Sequence, residues 1–222
     1  MKTEIRILKS AAVAALFALG LSANAQTDIS SYFVNLDFNA GVANVGALAF
    51  DNPASDVPGW VNGNATMIDS GVEGPTAWWA HDGQNWAAFM RETDRAYNLG
   101  TYTIQAGDSF VIDFKAGCWW DPALFTATLF YDNPANVIGT YTTPDTLPHW
   151  SYTEYTSDPI VATADSVGHQ LGILFENTDT GTGNGTLTEI KISTVPVPEP
   201  ATISLMAVAG LGLLLRHRRF VK

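Results

Sequence analysis

The chain has 222 residues, 46% hydrophobic and 15% charged, with 22 acidic side chains against 11 basic ones and a formal charge of −11 at pH 7. The bases crowd the two ends: between residues 26 and 198 only Arg91, Arg95, Lys115 and Lys191 stand against twenty acids, a net charge of −16. A surface of that sign repels phosphate backbones, which excludes nucleic acid as a partner and leaves neutral ligands, cations or plain solubility.

Lys2, Arg6 and Lys9 precede an uncharged apolar run at residues 11–21 and the small-residue site Ala23-Asn24-Ala25. A positive start, a short apolar stretch and an A-x-A site are the three parts of a secretory signal peptide. Cleavage is expected after Ala25, and Gln26 then opens the mature chain. The run is short for a membrane span.

From residue 26 to 195 no period of 3.6 is sustained. Short β-branched and aromatic runs are broken by Gly, Pro, Asn and Asp, the pattern of strands and turns. Strands are expected at 32–38, 97–105, 109–116, 124–131, 137–141, 151–156, 159–162, 169–176 and 187–193. Turns are expected at 105–108 and 132–134, and a Gly/Thr/Asp loop at 177–185. Over 109–116, Phe110, Ile112 and Phe114 fall on one face and Val111, Asp113 and Lys115 on the other. Strands of this length and spacing predict one all-β domain, a jelly-roll β-sandwich.

Beyond it the chain reads Pro196-Val197-Pro198-Glu199-Pro200, a segment that proline keeps extended. An uncharged run follows at residues 201–215, then Arg216, His217, Arg218, Arg219 and Lys222. As a helix the run rises about 22 Å, short of the roughly 30 Å hydrocarbon core. The basic cluster stays cytoplasmic by the positive-inside rule and leaves the preceding domain outside. Pro198, Glu199, Pro200, the short apolar helix and the basic cluster at Arg216, Arg218 and Arg219 together resemble the PEP-CTERM sorting signal of Gram-negative envelope proteins. That resemblance covers residues 196–222. It implies recognition by an exosortase, a membrane cysteine protease that cuts near the Pro-Glu-Pro motif. It also implies a transient inner-membrane anchor and delivery to the outer surface or into exopolysaccharide.

The middle domain resembles the galactose-binding-like jelly roll of discoidin-type domains and many non-catalytic carbohydrate-binding modules. The resemblance is carried by Phe38 with Pro58-Gly59-Trp60, by Leu99 and the hairpin at residues 104–114 (Ile-Gln-Ala-Gly-Asp-Ser-Phe-Val-Ile-Asp-Phe), and by the last strand at 187–192. It implies a sugar-binding surface. It also implies a structural Ca²⁺, for which Asp37, Asp51 and Glu189 are the candidate oxygen donors; a hard cation of this kind wants six to eight oxygens.

All seven tryptophans lie between residues 60 and 150. Trp78, Trp79 and Trp86 share a loop-like stretch with Asp82 and Gln84, which mixes flat apolar rings with hydroxyl-binding groups and suggests a sugar platform; the competing reading is that these indoles are core. Adjacent residues on a strand face opposite ways, so one of Trp78/Trp79 and one of Trp119/Trp120 is expected to face outward. Cys118, alone and in an apolar run, reads as a buried small hydrophobe. Gly107-Asp108-Ser109 lies in a β-hairpin turn rather than in a hydrolase motif, and the spacing of His81, His149 and His169 makes no zinc site. The sequence therefore points to an exported, non-catalytic binder of carbohydrate or exopolysaccharide. The alternatives are a structural or adhesive surface protein without a small ligand and, further off, a secreted hydrolase.

Overall fold

The computed structural model describes residues 26–39, 48–49, 57–63, 70–73, 87–91, 93–118, 122–179 and 183–196. Gln26–Val195 forms one compact unit. The candidate residues Ala25, Asp51, Trp78, Trp79, Asp82, Gln84, Trp86, Pro198, Glu199, Pro200, Arg216, Arg218 and Arg219 lie outside the described residues, as do Trp119 and Trp120. Among the described residues no helix is long and apolar enough to cross a membrane.

The described strands are β1 Thr27–Asp28, β2 Leu48–Ala49, β3 Trp60–Asn62, β4 Gly71–Glu73, β5 Ala87–Met90, β6 Arg95–Thr103 and β7 Asp108–Cys118. They continue with β8 Phe125–Tyr131, β9 Asn133–Thr142, β10 Thr153–Thr156, β11 Ile160–Val161, β12 Gln170–Asn177 and β13 Gly185–Pro196. They make two sheets. One runs β10-β7-β13-β5-β4-β2, with β1 paired to β13 and β11 to β7; the other runs β3-β6-β12-β8-β9. The fold is the expected all-β sandwich.

Alternation along each strand builds the core. Phe110, Ile112 and Phe114 of β7 point inward, as the sequence pattern requires, and meet Leu171, Ile173 and Phe175 of β12 and Phe125, Ala127 and Leu129 of β8. Phe175 is fully buried at the centre of this contact. Its ring lies 5.1 Å from Phe114 on the opposite sheet and 6.4 Å from both Phe125 and Trp60 on its own. Aromatic pairs in such tilted and edge-on arrangements add about 0.5–1.5 kcal/mol each beyond the area they bury.

The expected strand at 32–38 is not one. Ser30–Tyr32 is a 3-10 turn, and Asn35 and Phe38 take left-handed φ angles of 61° and 59°, which break extended pleating. The segment instead folds over the sandwich. Phe38 stacks on Trp60 at 4.9 Å, and the Trp60 indole donates to the Asn35 carbonyl at 2.9 Å. Gly59 makes the close approach possible: at φ 83° a Cβ there would sit 2.5 Å from the Val34 carbonyl oxygen. In β13, Leu187 and Ile190 both face the core although three residues apart. The left-handed Glu189, at φ 51°, absorbs the one-residue slip, as a bulge does.

Asp132 alone separates β8 from β9, at φ 53°. Its carboxylate accepts from the Gln170 backbone N–H at 3.0 Å and faces His169 Nδ1 at 2.6 Å. Those contacts, the backbone one first, hold its pKa below the ordinary aspartate value. A depressed carboxylate contributes stability that is complete above the unfolded pKa and lost as pH falls through the folded one. Acid unfolding of Asp132→Asn should accordingly be shallower than that of the parent below about pH 4, with the two curves running parallel above it. Phe175→Ala should cost about 3–5 kcal/mol in urea unfolding, the range for a buried aromatic whose cavity cannot collapse.

Candidate functional site

The residues proposed from sequence separate once placed. Trp60 is 1% exposed and belongs to the core, whereas Trp150, at 39%, is the exposed indole among the described residues. Cys118 is buried, its thiol turned to the Leu147 carbonyl at 3.1 Å. Asp37 accepts from the Asn39 side chain at 2.6 Å. Glu189 is engaged by the Lys115 ammonium at 2.9 Å. Among the described residues no three His, Cys, Asp or Glu side chains gather closely enough to hold a metal.

A broad concavity lies elsewhere, on the outward face of the five-stranded sheet. β6 turns Ala96 and Asn98 inward and Arg95, Tyr97 and Leu99 outward. β12 buries Ile173 and Phe175 in the core and offers Leu174 and Glu176 to the other side, where they are register partners of Tyr97 and Arg95. β8 adds Thr128, and the start of β9 walls one flank with Asn133, Pro134, Ala135 and Val137. Asn62 and Gly63 close the opposite flank, and the enclosed volume is about 570 Å³.

Two features shape this cleft. Gly172 lets the Phe130 ring lie flat on β12: a Cβ there would sit 2.2 Å from the ring. Phe130 in turn props Tyr97 edge-on, with centroids 5.8 Å apart and planes at 81°. Tyr97 is half-buried and presents an aromatic surface to the cleft. Polar groups stand at the same end. The Arg95 Nε donates to the Gly63 carbonyl at 2.7 Å, which fixes the guanidinium at the wall of the cleft. The Glu176 carboxylate lies on the same face, with no hydrogen bond or ion pair to any described side chain. Asn62, Asn133 and Thr128 supply neutral donors and acceptors. An aromatic surface flanked by a few fixed polar groups suits a hydroxylated, partly apolar ligand.

Sequence reading missed this site because it sought tryptophan. The usable signal was alternation: Arg95, Tyr97 and Leu99 recur at spacing two on one strand, and Leu174 and Glu176 do so on its neighbour.

A smaller concavity of about 180 Å³ sits on the other sheet between β10, β7 and β13. There Lys115 pairs with Glu189, and Thr156 donates to Asp113 at 2.7 Å.

Gly172→Ala should displace the Phe130 ring and cost about 1–3 kcal/mol by denaturant unfolding. Its effect should be non-additive with Tyr97→Ala, since both act through Phe130.

Comparison with known proteins bears on the fold and on the C-terminal segment. No curated protein sequence matches the chain. Among solved structures, the Stig cyclase Fisc from Fischerella sp. TAU, in complex with (3Z)-3-(1-methyl-2-pyrrolidinylidene)-3H-indole, shares the fold at 16% identity. It covers 78% of this chain and 100% of the cyclase, with a TM-score of 0.54. A CBM4 structure matches at 15% identity over 72% of this chain and 97% of its own, TM-score 0.48. The CBM22-2 xylan-binding domain of Paenibacillus barcinonensis Xyn10C matches at 15% identity over 67% and 100%, TM-score 0.45. At the C-terminus, residues 196–219 match the family model of the PEP-CTERM protein-sorting motif, so the chain ends in a protein-sorting signal placed where the Pro-Glu-Pro triplet, apolar run and basic cluster stand.

Proposed function

We propose that this chain is an exported envelope protein that binds a neutral polysaccharide through the cleft on its five-stranded sheet. The sorting motif at 196–219 supports the first half: an exosortase-type membrane protease would recognise it, hold the chain at the inner membrane through residues 201–215 and release it toward the cell surface or matrix. The second half rests on the site rather than on the fold, since a cyclase shares that fold and fold alone does not assign function.

The observation that carries it is the pairing of Tyr97 with the fixed Arg95 and the unengaged Glu176 on one open sheet face. A chain-like sugar can lie along such a face, its ring against Tyr97 and its hydroxyls on Glu176, Asn62 and Asn133. The −16 charge of residues 26–198 disfavours anionic polymers and favours neutral ones. The stretch containing Trp78, Trp79, Asp82, Gln84 and Trp86 is a second platform under the same proposal. A structural Ca²⁺ drawing on Asp37, Asp51 and Glu189 would have to take Glu189 from Lys115.

The test is a glycan array probed with residues 26–195, a unit that contains its own core, with and without EDTA. Specific retention of a neutral glycan is expected, weakened about tenfold or more by Tyr97→Ala and reduced by Glu176→Gln. If Tyr97→Ala binds like the parent while Trp79→Ala or Trp86→Ala does not, the platform is the tryptophan stretch and the cleft assignment is wrong. A folded domain that binds no glycan sinks the reading in favour of a structural or adhesive surface protein. Loss with EDTA brings calcium into the site or its scaffold.

A further inference from the structure

The outward face of the five-stranded sheet changes polarity from one row of side chains to the next. Register sets Arg95 of β6 beside Glu176 of β12, Thr126 of β8 and Thr142 of β9. Every member of that row is polar, and the Thr126 and Thr142 hydroxyls are 2.9 Å apart. The middle row holds Tyr97, with Val61 of β3 on one side and Leu174 on the other. The third row runs Leu99, Gly172, Phe130 and Val137, with no polar side chain in it. Phe130 is buried, whereas Leu99 and Val137 are exposed. Val137 lines the cleft together with Pro134 and Ala135, so the β9 flank is largely aliphatic. Among the described residues eight large hydrophobic side chains are exposed, and Val61, Leu99 and Val137 of these share this one face. Single exposed aliphatics need no explanation, but a group of them beside a cleft marks a surface made to be covered.

A sugar ring seated on Tyr97 has the polar row at one edge and the apolar row at the other, each about 7 Å along the strand. An unsubstituted ring carries hydroxyls at both edges. Those over Leu99 and Val137 would lose water and gain no partner there, which is costly. A methyl group at that edge instead removes apolar surface from water on both molecules. We propose that the ligand is a neutral polysaccharide bearing methyl-ended substituents, O-acetyl groups or 6-deoxy carbons, and that the Leu99–Val137 row receives them. This rests on the cleft being a glycan site and names the class of glycan. Neither substituent adds charge, as the acidic surface requires.

The test is retention of residues 26–195 on a panel of immobilised polymers: acetylated glucomannan, xylan and mannan, the same three after mild alkaline de-esterification, and a neutral rhamnan. At least one acetylated polymer should be held about fourfold or more tightly than its de-esterified form, the gain for one buried methyl. Preference for the rhamnan over mannan, with none for acetylation, assigns the row to 6-deoxy carbons. Val137→Thr keeps the shape of an exposed side chain, so its melting curve should match the parent's while the preference falls toward one. Val161→Thr, at an exposed valine on β11 of the other sheet, should leave the preference intact. Tyr97→Ala should weaken both forms of the polymer. Equal retention of substituted and unsubstituted polymers, still lost in Tyr97→Ala, overturns this inference and leaves the cleft a glycan site. A preference that survives Val137→Thr, or falls equally in Val161→Thr, overturns the role of the row. Retention of no polymer overturns both this inference and the glycan reading.

Discussion

The sandwich depends on one buried ring. Phe175 sits on the middle strand of the five-stranded sheet and touches Phe114 across the interior, with Phe125 and Trp60 to either side. Trp60 carries the contact outward to Phe38, so the irregular segment after the 3-10 turn is tied to the same cluster. A chain of this size has to bury most of its apolar surface in one place to offset the entropy of ordering it. Here the aromatic cluster is that place. It also explains why an unusual backbone is tolerated at Asn35, Phe38 and Gly59: these left-handed residues bring Phe38 and the Val34 carbonyl into contact with the core.

The strands that make the core also make the cleft, because a pleated strand sends successive side chains to opposite faces. On β12, Ile173 and Phe175 are interior while Leu174 and Glu176 belong to the cleft. Core and site are therefore in register with each other, and a one-residue slip would exchange them. Gly172 refines the arrangement. With no side chain of its own it cedes its surface to Phe130, which positions Tyr97. Phe130 and Leu174, on the cleft side of the sheet, are buried as the core residues are. A site built this way needs little ordering when ligand arrives, which lowers the entropic cost of binding.

What the sequence made legible followed from periodicity. The faces of residues 109–116 were readable because Phe110, Ile112 and Phe114 alternate with Asp113 and Lys115. The runs at 169–176 and 187–193 were readable because apolar residues recur in them and the Gly/Thr/Asp loop at 177–185 separates them. The run at 32–38 looked like a strand because Tyr32, Val34, Leu36 and Phe38 have the same spacing. Its left-handed residues are set by tertiary contact with Trp60 and Gly59, which no local pattern encodes. The Glu189 slip was hidden likewise: Leu187 and Ile190 reach the same interior only through a bulge. The cleft was invisible for a third reason. Its parts, Asn62, Arg95, Tyr97, Thr128, Asn133 and Glu176, come from five strands, and strand order in a sheet is not written in local sequence. The sorting tag was legible throughout, since its three parts are contiguous and defined by composition.

The few basic residues bear on the choice of ligand. Three of the four bases between residues 26 and 198 line the two concavities: Arg95 in the larger, Lys115 and Lys191 in the smaller. Two of them serve the scaffold. Arg95 ties β6 to the Gly63 carbonyl beyond β3, and Lys115 neutralises Glu189 where β13 slips. An anionic polymer would have to displace such contacts and approach a surface that is otherwise negative. A neutral polymer does neither: it can use Tyr97 and the uncharged amides and hydroxyl around it, with Glu176 accepting rather than repelling.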